Sequence, residues 1–249
     1  MHQGGTALLM AAEGVIENAR RLAARLLQAG VEAVQYEAGM LRVAATGQEM
    51  TLEEVARASY QTPGDDVAPG LAHKANHLCD RYTFPNGCHI AEVEIDPETG
   101  EVRLDRYVIF DDYGRLLDPR LTLGQVHGGV AQGIGQALFE QALFDADTGQ
   151  ILSGSLMDYA LPRADDLPVF EGSLTGDFPS RANRLGVKGS GQAGAIAAPA
   201  AIMNAVMNAL APLGVRHLDM PATPSRIWRA IQAADARSRA RADTTSADQ

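Results

Sequence analysis

The chain has 249 residues, of which 46% are hydrophobic, 21% charged and 5% aromatic, and its formal net charge is −10 at pH 7. This length and composition argue against a disordered protein and suit one large domain or two small ones, while the acidic balance argues against nucleic acid or an anionic membrane surface as a partner. No uninterrupted apolar run reaches the ~20 residues of a membrane span, and the first residues lack the basic region of a signal peptide, so we expect a cytoplasmic protein unless a partner carries it elsewhere.

The N-terminal part of the chain predicts a helix, a strand pair and a second helix. Apolar residues recur at helical spacing over 13–28, and Gly30 follows as a stop. A short strand pair is expected over 31–45. Thr51 and Glu54 then form the pattern of a capping box, which predicts the start of another helix.

A β-hairpin is the clearest prediction in the middle of the chain. The segments HIAEVEID and EVRLDRYVIF alternate between apolar and polar residues, and the turn sequence PETG joins them. Asp111 and Asp112 follow the second segment in turn-like sequence, where capping and solvation are the usual roles of such residues. A second, shorter hairpin is expected around FDADTGQILSG.

A glycine-rich helix is expected after the first hairpin. The glycines at 128, 129, 133 and 135 each lower helix stability, so their density needs a reason. Either a bulky group approaches the backbone closely or the helix packs tightly on a neighbour, and the spacing does not choose between them.

The composition predicts where the chain divides. Residues 61–70 are rich in Pro, Gly and Asp and form the expected boundary between an N-terminal helix-strand segment, 1–62, and a main domain, 63–241. Thr223 and Pro224 fit the cap and first position of a last helix. The polar residues 242–249 are expected to be a disordered tail.

Three glycines at 189, 191 and 194 match the spacing G-x-G-x-x-G of dinucleotide-binding loops. The preceding residues are polar rather than a buried strand, and no acidic residue follows at the expected distance, so a nicotinamide-dependent enzyme is a distant alternative. A glycine loop before a helix N-terminus suits an anion or an oxo group. The competing interpretation is a turn that merely admits a packed helix.

Histidines and cysteines cluster in the sequence at His73, His77, Cys79, Cys88 and His89. Their spacing fits no closed zinc pattern, and adjacent residues such as the last two rarely face one ion. We therefore assign no metal ligand on this chain. Two cysteines in a chain of this length suit a reducing compartment as well as a single disulfide.

Four longer segments together carry a family resemblance. They are FPNGCHIAEVEIDPETGEVRLDRY, DDYGRLLDPRLTLGQVHGGVAQGIGQALFE, MDYALPRADDLP and NRLGVKGSGQAG. In sequence, order and spacing the chain resembles, from about Gly4 to about Ala236, the C-terminal part of the molybdenum-cofactor-binding subunit of the xanthine dehydrogenase and aldehyde oxidase family. The resemblance implies an α+β fold of mixed hairpins and helices.

The resemblance also implies a function. It points to a molybdenum hydroxylase that oxidises an aldehyde or an N-heterocycle with water as the oxygen source. The implied cofactor is a molybdopterin, in its cytosine dinucleotide form because the motifs look bacterial. The implied partners are a chain that carries the rest of the molybdenum subunit, a 2Fe-2S subunit and an FAD subunit. The rival interpretation is a non-catalytic assembly subunit that keeps the family fold.

The resemblance assigns cofactor-contacting positions in four places. The loop that runs along the cofactor matches Leu117, Asp118, Pro119, Arg120 and Leu121. The glutamine beside the pterin matches Gln125. The glycine loop whose backbone contacts the cofactor matches Lys188, Gly189, Ser190 and Gly191. The nucleotide-contacting run of relatives falls on Gly5 and Thr6, where this chain departs from the usual Ser-Arg-Ser-like pattern.

Gln192 is the most consequential departure from the family pattern. The family reads G-x-G-E-A-G, with the glutamate as general base, whereas this chain reads GSGQAG. A carboxamide forms hydrogen bonds but takes up no proton at neutral pH, and base catalysis is typically worth 10²- to 10⁴-fold in rate. The glutamine is an engineered substitution, a native variant, or the mark of a complex that binds cofactor without turnover. We favour a native variant because other positions also depart from the pattern.

Overall fold

The computed structural model describes residues 2–62 and 67–247 of the protein, with side chains up to residue 240. The helices are α1 (His2–Leu26), α2 (Leu52–Gln61), α3 (Pro119–Leu138), α4 (Ala193–Leu210) and α5 (Pro224–Ala247). The strands are β1 (Val34–Glu37), β2 (Met40–Val43), β3 (Glu49–Thr51), β4 (Asn86–Ile95), β5 (Val102–Asp112) and β6 (Phe170–Thr175). The chain forms two compact units, Met1–Tyr82 with Arg181–Leu185, and Thr83–Ser180 with Gly186–Gln249.

The first unit packs α1 and α2 on a small antiparallel sheet of order β1-β2-β3. Its core contains the buried residues Ala19, Leu22, Leu41 and Val55. The predicted strand pair is confirmed, and a third strand extends it. The predicted capping box is confirmed, with Thr51 and Glu54 bonded reciprocally at the start of α2.

Two boundaries in this unit differ from the sequence-based expectation. Helix α1 begins at His2 rather than near residue 13, although Gly4 and Gly5 lower the helix propensity of its first turns. The chain divides after Tyr82 rather than near residue 62, because Val67 and Leu71 belong to the core of the first unit. Residues 63–66, at the expected boundary, lie outside the described residues.

The second unit is built on a three-stranded sheet of order β4-β5-β6. The predicted hairpin is confirmed: β4 and β5 pair antiparallel from Asn86↔Asp112 to Ile95↔Val102, with one irregularity at Glu92/Val93. Strand β6 lies parallel to β5. The second, shorter hairpin is present as a single bridge between Phe144 and Ile151.

Helices α3 and α4 pack on each other, and α4 also packs on β4. The core of this unit contains buried side chains from the sheet, α3, α4 and α5, among them Tyr107, Val130, Ile202 and Ile227. The stretch Ala193–Leu213 is long and apolar enough to cross a membrane by length and composition alone. Because α4 supplies core residues of this unit, we interpret it as a core helix.

The last helix begins at Pro224, as its cap signal predicts. It continues to Ala247, so residues 242–247 are helical where the composition predicts a disordered tail. No glycine or proline interrupts the sequence after Pro224, which is consistent with an uninterrupted helix. Residues 248–249 lie outside the described part of the chain.

Candidate functional site

The N-terminus of α3 presents the first group of predicted site residues. Asp118 is the N-cap, and its carboxylate accepts hydrogen bonds from the N–H groups of Arg120 (3.0 Å) and Leu121 (3.1 Å). Pro119 occupies the first helical position, where no N–H is needed. The cap fixes this turn while leaving Leu121 74% exposed. The residues from Leu117 to Leu121 therefore form an ordered, accessible edge.

The glycine loop, residues 188–191, is attached to the end of β5. The backbone N–H of Lys188 donates to the carbonyl of Tyr113 at 2.9 Å. The Lys188 ammonium lies 2.6 Å from the Asp112 carboxylate, with side-chain exposures of 10% and 8%. Asp112 also accepts from the N–H of Gly114 at 2.7 Å. The side chain of Lys188 thus anchors the loop, and the backbone of the following residues is the part that a ligand can reach.

A buried polar network lies on β4 and β5 beside the loop anchor. Asp111 accepts a hydrogen bond from the Tyr113 hydroxyl at 2.7 Å and lies 3.1 Å from Nε2 of His89. The other ring nitrogen of His89 lies 2.8 Å from the Tyr107 hydroxyl. Burial raises the pKa of both phenols, and for Tyr113 the hydrogen bond to Asp111 adds to the effect. Both hydroxyls therefore stay protonated at neutral pH.

This network borders a cavity of about 270 Å³ that reaches the first turn of α4. His89, Asp111 and Ala193 are among the residues that line it. The sequence interpretation of Asp111 and Asp112 as solvated turn residues is wrong, because both are buried. A signal was present in the sequence, since residues 107–110, directly before the two aspartates, are apolar or aromatic.

The end of the glycine loop is held against the second turn of α3. The side-chain amide Nε2 of Gln125 donates to the carbonyl of Gly191 at 2.9 Å. Just beyond, α4 approaches α3 so closely that a Cβ on Gly194 would lie 2.5 Å from the Val126 carbonyl oxygen and 2.6 Å from the Val130 nitrogen. Residues 66 positions apart in sequence, Gln125 and Gly191, thus meet at one place.

Gln192 occupies the N-cap position of α4, next to this contact. Its carbonyl accepts the hydrogen bond from the Ile196 N–H at 3.0 Å, while its side chain caps no N–H group of the described helix. The residue is exposed. The carboxamide at the predicted base position is therefore exposed and caps no N–H group of the described helix.

Four of the five glycines of α3 divide into two groups, while a Cβ on the fifth, Gly135, would meet Glu140 and Pro162. Cβ atoms on Gly129 and Gly133 would contact α4, the second at 2.9 Å from the ring of Pro199. Cβ atoms on Gly124 and Gly128 would meet nothing within 4 Å. Tight helix packing accounts for the first pair. The second pair, at i and i+4, leaves one face of the helix backbone open beside Gln125.

This arrangement fits a polyanionic cofactor. The loop glycines Gly189 and Gly191 are exposed, and the N–H groups of the first turn of a helix have no intrahelical partner. The N-termini of α3 and α4 both carry positive dipole ends, which favour phosphate or metal-oxo groups. The open backbone at Gly124 and Gly128 leaves room for a bulky ring system.

The remaining predicted contacts lie in the first unit. Gly5 and Thr6 are in the first turns of α1, and Thr6 is buried with its hydroxyl donating to the carbonyl of His2 at 2.6 Å. Their contact with a nucleotide stays a prediction. The distant alternative, a dinucleotide-binding loop, requires a strand before the glycines, and the described residues 176–192 contain only an isolated bridge at Val187.

Comparison with known proteins identifies the family. The sequence profile described as the molybdopterin cofactor-binding domain matches residues 1–168 of the chain. The chain belongs to this family. The glycine loop lies beyond the matched residues, but relatives extend over it.

The 6-hydroxypseudooxynicotine dehydrogenase complex subunit gamma of Paenarthrobacter nicotinovorans is 38% identical, over 92% of this chain and 29% of its own length. The crystal structure of Cu,Mo-CO dehydrogenase matches with a TM-score of 0.83 at 29% identity, covering 93% of this chain and 29% of that one. Quinoline 2-oxidoreductase from Pseudomonas putida 86 matches with a TM-score of 0.78 at 36% identity, covering 90% and 29%.

These similarities confirm the expected α+β fold as that of a molybdenum-cofactor-binding domain. The chain spans less than a third of the length of these relatives.

Proposed function

We propose that the chain is the molybdopterin-binding part of a multi-subunit molybdenum hydroxylase and acts only with partner chains. The relatives support this proposal through their names: one is a subunit of a dehydrogenase complex, one is a molybdenum-containing CO dehydrogenase, and one oxidises quinoline. The expected partners are a chain with the remainder of the molybdenum subunit, an iron-sulfur subunit and an FAD subunit.

The observation that carries the proposal is the joining of α3 and α4 through the Gln125–Gly191 hydrogen bond. It holds the glycine loop, the N-terminus of α4 and the open face of α3 together as one surface. Backbone N–H groups of residues 189–191 would hold anionic groups of the cofactor there. Because Nε2 of Gln125 is used by the loop, its Oε1 is left to accept a hydrogen bond from the pterin.

The bound cofactor would supply the oxidation chemistry, with molybdenum as electron acceptor and an oxygen atom derived from water. The residues of this chain would orient it and hold protons near the reacting atoms. At the base position Gln192 forms hydrogen bonds but takes up no proton. A hydroxylase that relies on this position for its base would be slowed by 10²- to 10⁴-fold.

We therefore propose that the substrate, an aldehyde or an N-heterocycle, is oxidised in a branch of the family in which a partner chain supplies the base or none is needed. The quinoline enzyme among the relatives favours the N-heterocycle. We also propose the cytosine dinucleotide form of the cofactor and a cytoplasmic location, in keeping with the bacterial relatives and the acidic composition.

Gln192 favours a second candidate function. A chain that keeps the fold but lacks the base would serve as a non-catalytic assembly subunit, stabilising a partner. This alternative predicts partner chains without molybdenum.

Metal analysis distinguishes the two functions. The complex that co-purifies with this chain from its native host, grown with molybdate, is analysed for molybdenum and iron. Molybdenum close to one per chain, with several irons, is the expected result. Partner chains present without molybdenum would overturn the hydroxylase proposal and support the assembly role.

A further inference from the structure

After the core residue Leu71, exposed and partly buried side chains alternate from residue 74 to residue 80, with the period of two that is typical of an extended chain. Ala75, His77 and Cys79 are partly buried, whereas the residues between and after them are exposed, with Leu78 at 85%. Alternate residues of an extended chain lie on one side. His77 and Cys79 therefore face the same way, toward the body of the first unit.

They face the first turn of α1, where His2 joins them. Each of the three residues offers one ligand atom, and these atoms all lie within 4.8 Å of one another. The rings of His2 and His77 lie 6.4 Å apart, centre to centre. Around a tetrahedral Zn²⁺ ion, ligand nitrogen and sulfur atoms lie about 3.3–3.6 Å apart, given metal–ligand distances of about 2.0–2.3 Å. Side-chain movements of about 1 Å would therefore bring the three ligand atoms to the distances found around an ion.

A second observation concerns the two histidines. Nε2 of His2 and Nε2 of His77 are both buried and have no hydrogen-bond partner among the described residues. A buried ring nitrogen without a partner is unfavourable, and two of them in one cluster are unusual. One ion would satisfy both nitrogens at once. Hydrogen bonding among the described residues does not account for this arrangement, whereas a bound metal ion would.

We propose that His2, His77 and Cys79 bind a single transition-metal ion, Zn²⁺ by preference. Imidazole and thiolate ligands together select zinc over Mg²⁺ or Ca²⁺, which prefer oxygen. Three protein ligands leave a fourth position for water. On binding, the Cys79 thiol loses its proton to solvent, and the thiolate sulfur and the two imidazole nitrogens donate to the metal, with no change of oxidation state.

The ion would tie two segments of the first unit together. One is the first turn of α1, and the other is the stretch 72–82, which has no regular secondary structure. The sequence alone does not identify the site, because His2 lies 75 positions from His77 and outside the histidine-cysteine cluster of residues 73–89. Of the other members of that cluster, His73 lies in the first unit but outside the ligand group, and Cys88 and His89 lie on β4 in the second unit.

Cobalt binding tests the site on the full chain. The chain is stripped of metal with a chelator and titrated with Co²⁺, and then with Zn²⁺ as competitor. We expect saturation at one Co²⁺ per chain, with the d–d bands of a tetrahedral ion and a thiolate-to-cobalt charge-transfer band, and displacement by Zn²⁺. Binding without a charge-transfer band, or no saturable binding, would overturn the proposal.

Two variants and two matched controls locate the ligands. Cys79→Ser and His77→Ala each remove a ligand, so we expect Zn²⁺ affinity to fall at least tenfold, since even residues that only support ligands are worth roughly 10- to 100-fold. Cys88→Ser removes the other cysteine, and His217→Ala removes an exposed histidine. Both controls should bind Zn²⁺ as the wild type does. Equal affinities in all four variants would exclude this site.

Alkylation of the wild-type chain gives a measurement that does not depend on the folding of any variant. Cys79 and Cys88 fall in different tryptic peptides, 75–81 and 82–103. Saturating Zn²⁺ should slow the alkylation of Cys79 by at least roughly tenfold and leave Cys88 unchanged, because a metal-bound thiolate is a poor nucleophile. An equal rate at Cys79 with and without Zn²⁺ would contradict the proposal.

Discussion

Replacing Gly194 by alanine tests whether the contact between α3 and α4 is as close as the structure indicates. The added Cβ would lie 2.5 Å from the carbonyl oxygen of Val126 and 2.6 Å from the nitrogen of Val130. An ordinary contact begins near 3.4 Å, so the helices must separate by almost 1 Å. The neighbouring atoms belong to the backbone, so no flexible side chain can move aside.

The magnitude follows from two opposing effects. Overpacking of this kind costs about 1–3 kcal/mol, and the gain in helix propensity from glycine to alanine is about 1 kcal/mol or less. We expect a net loss of about 1–2 kcal/mol in the free energy of unfolding of the second unit. Urea unfolding followed by the fluorescence of Trp228 measures it, since this single tryptophan lies in α5 of that unit.

Gly128→Ala is the matched control, because it makes the same change in α3 where a Cβ would meet nothing within 4 Å. It should raise the free energy of unfolding by up to about 1 kcal/mol. If the open face of α3 receives the cofactor, this variant should also lower the molybdenum content of the purified complex. Equal urea midpoints for the two variants would refute the assignment of one glycine to packing and the other to an open face.

Three further predictions concern charge and protonation. Gln192→Glu restores a base, so turnover of the natural substrate by the complex should rise by up to 10²- to 10⁴-fold if only the base is missing. Asp112→Asn leaves the Lys188 ammonium buried without its counter-ion, so urea unfolding should show a loss of about 3 kcal/mol. Hydrogen bonds from Thr51, first that of its backbone N–H, hold the pKa of Glu54 below its ordinary value of 4.5. Its stabilising contribution is therefore present above pH 4.5 and is lost as the pH falls through the lower, folded-state pKa, which circular dichroism unfolding at several pH values measures.

Each of these has a control and a contradicting outcome. Unchanged turnover in Gln192→Glu would show that the missing base at this position does not limit the rate. Glu53→Gln breaks the exposed ion pair with Arg57 and should lower the free energy of unfolding by less than about 0.5 kcal/mol. An equally small loss in Asp112→Asn would show that the buried ion pair with Lys188 does not stabilise the fold. The stability difference between the wild type and Glu54→Gln should shrink as the pH falls below 4.5, and a constant difference would contradict the capping argument.

Local sequence patterns were sufficient for the elements that depend on neighbouring residues. Alternation and the PETG turn predicted the β4–β5 hairpin, and the Thr51 capping box and Pro224 predicted the starts of α2 and α5. The glycine loop before the start of α4 was also predicted, because it depends on residues close together in the sequence. Such features are encoded at spacings of two to four residues, which a sequence displays directly.

Other features depend on residues far apart in the chain. Gly124, Gly128 and Gly129 look alike in sequence, and only the path of α4 decides which of them is covered. The local sequence predicts a turn residue at Asp112, and only the structure shows its ion pair with Lys188, 76 positions later. His2 has no evident role in the sequence until His77, 75 positions later, is placed near it.

The sequence by itself determined the family, and it predicted the positions that contact the cofactor and the replacement of the base by Gln192, because these are properties of residue identity in order. The tertiary structure decided which backbone is open to a ligand, which charges are buried and which distant side chains meet. These depend on distances through space, and the same local sequence is compatible with many different neighbours.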